Sequence, residues 1–193
     1  MADVKTTGAR KPRSDAERNR AHIIGVAKTV FAEKGQAASL DEIARTAGVG
    51  PGTLYRHFPT RDALVEAVYR NETAQLTAAA ANLAETQPPL GALREWLLLF
   101  VDYITTKQAM SELIHTLATA ESDLKSATTA QLAQAVSSLV RSATESGDAA
   151  LQLEPLDLLR ALAGVAKKGG EQDGASAAKG LVDILIAGMQ TRR

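Results

Sequence analysis

Between Ser39 and Pro59 the chain is punctuated so closely that it spells out two short helices and the tight turn between them. Ser39-Leu40-Asp41-Glu42 has the Ser-x-x-Glu form of a capping box, in which the serine hydroxyl accepts from the glutamate backbone N–H and the carboxylate reaches back. It opens a short helix through Ala47 with Leu40, Ile43, Ala44 and Ala47 on its inner side, and Gly48 ends it. Pro51 suits the first position of a second helix and Pro59 forbids its continuation, which leaves about two turns. Two helices joined this closely at a steep angle need a small residue where they touch and a left-handed residue at the turn. Ala44 and Gly48 supply both, while Leu54 and Phe58 point back at the first helix.

The outer face of the second helix then carries Thr53, Tyr55, Arg56 and His57, all hydrogen-bonding side chains. A pair of helices with this geometry leaves that face free to enter a DNA major groove, about 12 Å wide. A plain helical hairpin shares the Ala-x3-Gly spacing, but Tyr55 and His57 are odd choices for a merely solvated face. Arg10, Lys11, Arg13, Arg45 and Arg61 surround the unit and have the chemistry of phosphate contacts. Overall charge argues the other way at first, since 22 Lys plus Arg balance 22 Asp plus Glu. Counted by segment, residues 1–61 hold 11 basic and 6 acidic side chains and residues 62–193 hold 11 and 16, so a basic head of +5 joins an acidic body of −5.

Alanine makes up 36 of the 193 residues and no stretch alternates β-branched residues with period two, which predicts an all-α chain. A capping box at Ser14 and Glu17 predicts the start of the first helix, with Ile23, Ala27, Val30 and Phe31 on its apolar face and Gly35 at its end. Thr60 caps a long fourth helix running to about Ala84. Thr86-Gln87-Pro88-Pro89 breaks the chain and reads as a hinge between two parts. Pro89 to about Thr106 is apolar almost all round and belongs inside a bundle. Further helices are predicted over 108–119 and 122–145, from Pro155 through Val165, and, after a polar loop from Lys167 to Gly174, on to about Gln190. The organisation is a basic arm over 1–13, a helix-turn-helix domain over 14–60 and an effector-binding and dimerisation domain over 61–193.

Trp96, Phe100, Tyr103, Met110 and His115 offer the aromatic and soft apolar surface, with a few polar tips, that lines small-molecule pockets. Each is also an ordinary core residue of a helical bundle. The last two helices mix apolar residues with small ones, Ala161, Gly164, Ala178 and Gly188, which lets a second pair of helices approach closely and predicts a homodimer. With no cysteine, and histidines only at 22, 57 and 115, neither metal nor cofactor is expected. No phosphate loop or nucleophile elbow points to an enzyme. The longest apolar run, Trp96 to Val101, is far short of the roughly 20 residues that span a bilayer, and the basic N-terminus lacks an apolar segment behind it, so a cytoplasmic chain without membrane partners is expected.

From Ser39 to Leu64 the sequence SLDEIARTAGVGPGTLYRHFPTRDAL resembles the DNA-binding signature of the TetR (tetracycline-repressor-like) family, and HIIGVAKTVFAEKG before it resembles that family's first helix. The resemblance implies an all-helical homodimer whose three-helix DNA-binding head is joined by a long fourth helix to a divergent bundle that binds a small effector. Thr53, Tyr55 and His57 match recognition-helix positions that contact DNA, Tyr55 and His57 at phosphates and Thr53 near base edges or backbone. Arg56 stands beside them as the candidate for base reading or a further phosphate. The backbone N–H groups of Gly52 and Thr53 are expected to face a phosphate, and Ser39 to do the same from its own helix. Pro51 departs from the lysine common there and shifts phosphate binding toward Arg10, Lys11, Arg13 and Arg61. The expected function is that of a repressor of a palindromic double-stranded operator, released by an unidentified small molecule. The rival is a helical ligand-binding or adaptor protein whose helix-turn-helix has lost DNA function, for which Pro51 is the motive.

Overall fold

The structure, a computed structural model, describes residues 12–115, 121–151, 153–168 and 171–190. Among these the elements are α1 (Pro12–Lys34), a 3-10 turn (Gly35–Ala37), α2 (Leu40–Thr46), α3 (Pro51–His57), α4 (Arg61–Thr86), α5 (Pro89–Ala109), α6 (Ser111–His115), α7 (Glu121–Glu145), α8 (Pro155–Lys168) and α9 (Glu171–Met189). The described residues form no strand beyond one isolated bridge, Ala149 to Gln190, which ties the α7–α8 connection to the end of α9. No helix among them is long and apolar enough to cross a membrane.

Local signals placed most helix ends. Ser39 Oγ accepts from Glu42 N at 3.1 Å and Thr60 Oγ1 from Ala63 N at 3.1 Å, so both hydroxyl caps form as the sequence predicts, while the Glu42 carboxylate pairs with Lys34 of α1. Pro51 opens α3, and Phe58, just before Pro59, closes it. Boundaries differ at three places along the chain. Helix α1 begins at Pro12 rather than Ser14, because proline is well tolerated in a first turn whose N–H groups have no helical partners anyway. Helix α5 continues past Thr106 to Ala109 and a short break at Met110 separates it from α6, and the part of the expected 108–119 helix beyond His115 lies outside the described residues. Helix α9 starts at Glu171, so Lys167 and Lys168 end α8 and Gly174 lies within a helix instead of a loop.

Two hydrophobic cores result. The first gathers Ile23, Ala27 and Phe31 of α1, Ile43 and Ala44 of α2, Leu54 and Phe58 around α3, and Leu64, Val68 and Tyr69 of α4. Met110, Leu113 and Ile114 close it from the end of α5 and from α6. The second gathers Leu76 of α4, Trp96 and Phe100 of α5, Leu139 of α7, Leu162 of α8 and Val182 of α9. Each fully buried Leu, Ile or Phe contributes about 1.5–3 kcal/mol.

The division between the cores is not at the Gln87–Pro88 break. Helices α4 and α5 pack along one another after that turn, and α4 passes from one core to the other between Tyr69 and Leu76, while the chain leaving α5 joins the first core at Met110. A proline pair ends a helix locally, but body boundaries follow the burial of apolar side chains, and the apolar stripe of α4 is continuous. The helix-turn-helix unit of residues 14–60 therefore has its core completed by Leu64–Tyr69 and by α6.

Candidate functional site

Helix α2 closes with a Schellman arrangement that sets the angle of the next helix. Gly48 N donates to Arg45 O at 3.1 Å and Val49 N to Ala44 O at 3.0 Å. The turn requires a left-handed residue, and Gly48 adopts φ +64°. Helix α3 then starts on the Gly50 carbonyl, which accepts from Thr53 N at 2.9 Å and Leu54 N at 3.2 Å. That engages the Thr53 N–H expected to meet a phosphate and leaves Gly52, exposed and with open space where a side chain would begin, as the backbone donor at this end.

Leu54 and Phe58 are buried, which fixes the rotation of α3 about its axis. Tyr55, 45% exposed, and Arg56 face outward, with Thr53 and His57 half-buried at the margins. Arg45 is exposed on α2, and among the described residues neither it nor Arg56 has an ion-pair partner. Ser39 is exposed and its oxygen caps Glu42.

Not every predicted contact residue is free. Arg61 Nη2 donates to Gly35 O at 3.0 Å and its guanidinium lies 5.6 Å from the Phe31 ring centroid, so it braces α4 against the end of α1. Arg10 and Lys11 lie outside the described residues, and Arg13 falls in the first turn of α1, where only the backbone is described. Two braces went unread in the sequence. Arg20 stacks over Phe58 at 5.1 Å, and His22 Nε2 lies 3.1 Å from Ala47 O, each fixing α1 against the helix pair. Their only signal is position on α1, four residues before Ile24 and one before Ile23.

The five expected effector residues do not form one site. Trp96 is fully buried, stacks on Phe100 with centroids 6.0 Å apart, and donates from Nε1 to Leu76 O at 2.9 Å, all of which is core. Met110 is buried in the first core, with the helix-turn-helix unit. His115 is exposed at a separate opening beside Gln108 and Ser111. Phe100 and Tyr103 do come together, on the wall of a cleft of about 330 Å³ between α5, α7 and α8 that Leu132, Leu156 and Leu159 also line.

A polar cluster sits where the two cores meet, beside that cleft. Lys107 Nζ donates to Tyr69 Oη at 3.1 Å, and Thr73 Oγ1 donates to Tyr69 O at 3.1 Å while lying 3.5 Å from Tyr103 Oη. Burial pushes the Tyr69 phenol up, but hydrogen bonding with Tyr103 and Thr128 and the nearby Lys107 ammonium outweigh it and hold the phenol below its ordinary value. Tyr103 is pushed far up, first by burial and then by its hydrogen bond and electrostatic interaction with Tyr69 and by the Glu72 charge, against the opposing Thr73 bond. Lys107 was overlooked in the sequence, although it stands four residues after Tyr103 and seven after Phe100, on the same face of α5.

Comparison with known proteins bears on both halves. Residues 23–68 match the model described as bacterial regulatory proteins of the tetR family, and residues 88–191 match the C-terminal domain of SbtR-like transcriptional regulators. The chain is 31% identical over 103 residues to the HTH-type transcriptional regulator AcrR of Shigella flexneri, covering 52% of this chain and 48% of that protein. It is 36% identical over 92 residues to TtgR of Pseudomonas putida, covering 46% and 44%. The chain thus spans about half the length of the curated relatives it matches. Among solved structures, a TetR transcriptional regulator from Streptomyces coelicolor is similar over 90% of this chain and 99% of its own, with TM-score 0.82 and 37% identity. Another from Mycobacterium vanbaalenii is similar over 94% and 100%, with TM-score 0.78 and 26% identity.

Proposed function

This chain belongs to the TetR family of transcriptional regulators, and on that footing we propose that it is a dimeric repressor that binds a palindromic operator through two α3 helices and releases it when a small molecule enters the C-terminal bundle. The observation that carries the reading is the face of α3. Burial of Leu54 and Phe58 turns Tyr55 and Arg56 outward together, and Arg45 on α2 is exposed with no ion-pair partner among the described residues. That is a positively charged, hydrogen-bonding ridge on a helix narrow enough for a major groove. Gly52 supports it, because nothing inside the chain calls for glycine there and its bare backbone permits close approach of a phosphate. The chain is then a cytoplasmic regulator whose business is recognition rather than catalysis.

Dimer formation rests on the outer surface of α8 and α9. Ile184 is 69% exposed, and Gly164, Gly180 and Gly188 have open space where a side chain would stand. Glycine inside a helix costs about 1 kcal/mol relative to alanine, and packing within this chain does not compensate it. Close approach of a partner's helices does, giving a four-helix interface of α8 and α9 from each subunit. Effector binding reaches the DNA through α4, the helix that belongs to both cores, and alters the spacing of the two α3 helices, which the pitch of DNA holds fixed.

The test is a mobility-shift titration with random-sequence duplex DNA over a range of salt, comparing the native chain with Tyr55→Ala/Arg56→Ala. Salt-sensitive binding by the native chain and its loss in a folded double variant supports the reading. Equal binding by both proteins overturns it.

A further inference from the structure

The cleft between α5, α7 and α8 has charged side chains of one sign among the described residues. Its body is apolar, with Phe100, Ile104, Leu132 and Leu159 on the walls, and its charged lining is Lys107 and Arg160, with no carboxylate among the described residues. Arg160 is neutralised on its own helix, where Nη1 donates to Asp157 Oδ1 at 2.7 Å. Lys107 is not. Half-buried, its ammonium donates to the Tyr69 hydroxyl and lies 5.1 Å from the centroid of that ring, with no ion-pair partner among the described residues. A half-buried cation at the edge of an apolar cleft, with no ion-pair partner among the described residues, is a group that an anion in the cleft can pair with.

The position of Lys107 gives that exchange a consequence. Tyr69 is buried in the first core, with the DNA-binding head, while Lys107 reaches it from α5 beside the cleft in the second. Their contact is a polar tie across the seam through which α4 runs.

The geometry points to an apolar monocarboxylate as the ligand of this cleft, its carbon body against Phe100 and the leucines and its carboxylate drawing Lys107 away from Tyr69. The inference rests on the effector-binding reading of the C-terminal bundle and names the class of molecule that the bundle takes. Neutral and cationic molecules of the same shape fill the walls equally well but leave Lys107 uncompensated. Discrimination comes from this one residue, and the same movement loosens the seam.

Trp96 provides the readout, since it is the chain's one tryptophan and stacks on Phe100 in the cleft wall. Its fluorescence is titrated in the full chain with decanoate, 4-phenylbutyrate, decanamide and decylamine. The two acids are expected to bind with a dissociation constant at or below about 1 mM, and the amide and amine at least about tenfold more weakly. Lys107→Gln is expected to erase the preference for acids, Lys107→Arg to keep it, and Lys168→Gln, an exposed lysine at the end of α8, to leave it unchanged. Equal binding of decanoate and decanamide overturns the proposal, as does undiminished acid binding by Lys107→Gln or no response to either acid at about 10 mM. If Lys107→Gln fails to fold, retention of acid preference by Lys107→Arg and its absence in Lys107→Met decide in its place. Duplex binding is measured separately on the same proteins. Loss of acid selectivity with intact duplex binding strikes the ligand class alone, whereas absent duplex binding with intact selectivity strikes the regulator reading.

Discussion

The guanidinium of Arg61 donates to the carbonyl of Gly35 at 3.0 Å, across 26 residues of sequence, and so fastens the first turn of α4 to the end of α1. A residue placed like a phosphate contact is in this way a brace of the head. Arg61→Ala is expected to lower stability by about 1–2 kcal/mol in urea denaturation. The salt dependence of whatever duplex binding remains should be unchanged, because no phosphate contact is lost.

Arg45 and Arg56 should behave oppositely. Each is exposed, without an ion-pair partner among the described residues, beside the outward face of α3. Replacing either by alanine is expected to leave the melting temperature nearly unmoved and to reduce the slope of log affinity against log salt by about one. A full salt titration of duplex binding checks this, and an unchanged slope for both variants speaks against phosphate contact.

Gly48 carries φ +64° and nothing crowds its Cβ position, so the cost of replacing it is conformational. Gly48→Ala is expected to destabilise the head by about 1–2 kcal/mol and Gly48→Asn by less. Thermal melts of the two variants compared with the native chain give the ordering.

Trp96 tests the distinction between core and pocket. Its Nε1 bond to the Leu76 carbonyl and its complete burial predict that Trp96→Phe costs about 1–3 kcal/mol of stability. Ligand affinity, measured by calorimetry at a temperature where the variant is folded, should change less than it does for Phe100→Ala, since Phe100 lines the cleft.

Ile184 is a large apolar side chain on the outer face of α9, left 69% exposed by its own chain. Ile184→Glu is expected to weaken self-association by at least about thirtyfold in sedimentation velocity while the circular dichroism stays helical. An unaffected dimer would move the interface elsewhere than α9.

The fold was legible where its causes are local. Ser39, Gly48, Pro51, Pro59 and Thr60 act on their own backbone within about one helical turn, through a hydroxyl cap, a left-handed residue or a missing N–H, so their effects follow from spacing. The same holds for the outward set of α3, because once Leu54 and Phe58 are assigned to the core the helical period places Tyr55 and Arg56 opposite them. Local signals misled where they were read as global ones. Pro88 and Pro89 end and start helices, yet both bodies run across that turn.

What the sequence by itself determined is an all-helical chain with a basic head, the turn of that head, and the side chains that its second short helix turns outward. Tertiary structure alone decided that Arg61 is a brace, that Trp96 and Met110 belong to different cores, and that Lys107 stands between a cleft and Tyr69. The reason is range. Caps, turns and periodicity are settled by residues within about four positions of one another. Whether a cation meets a carbonyl, a phenol or a carboxylate depends on segments brought together from 26 or 38 residues apart.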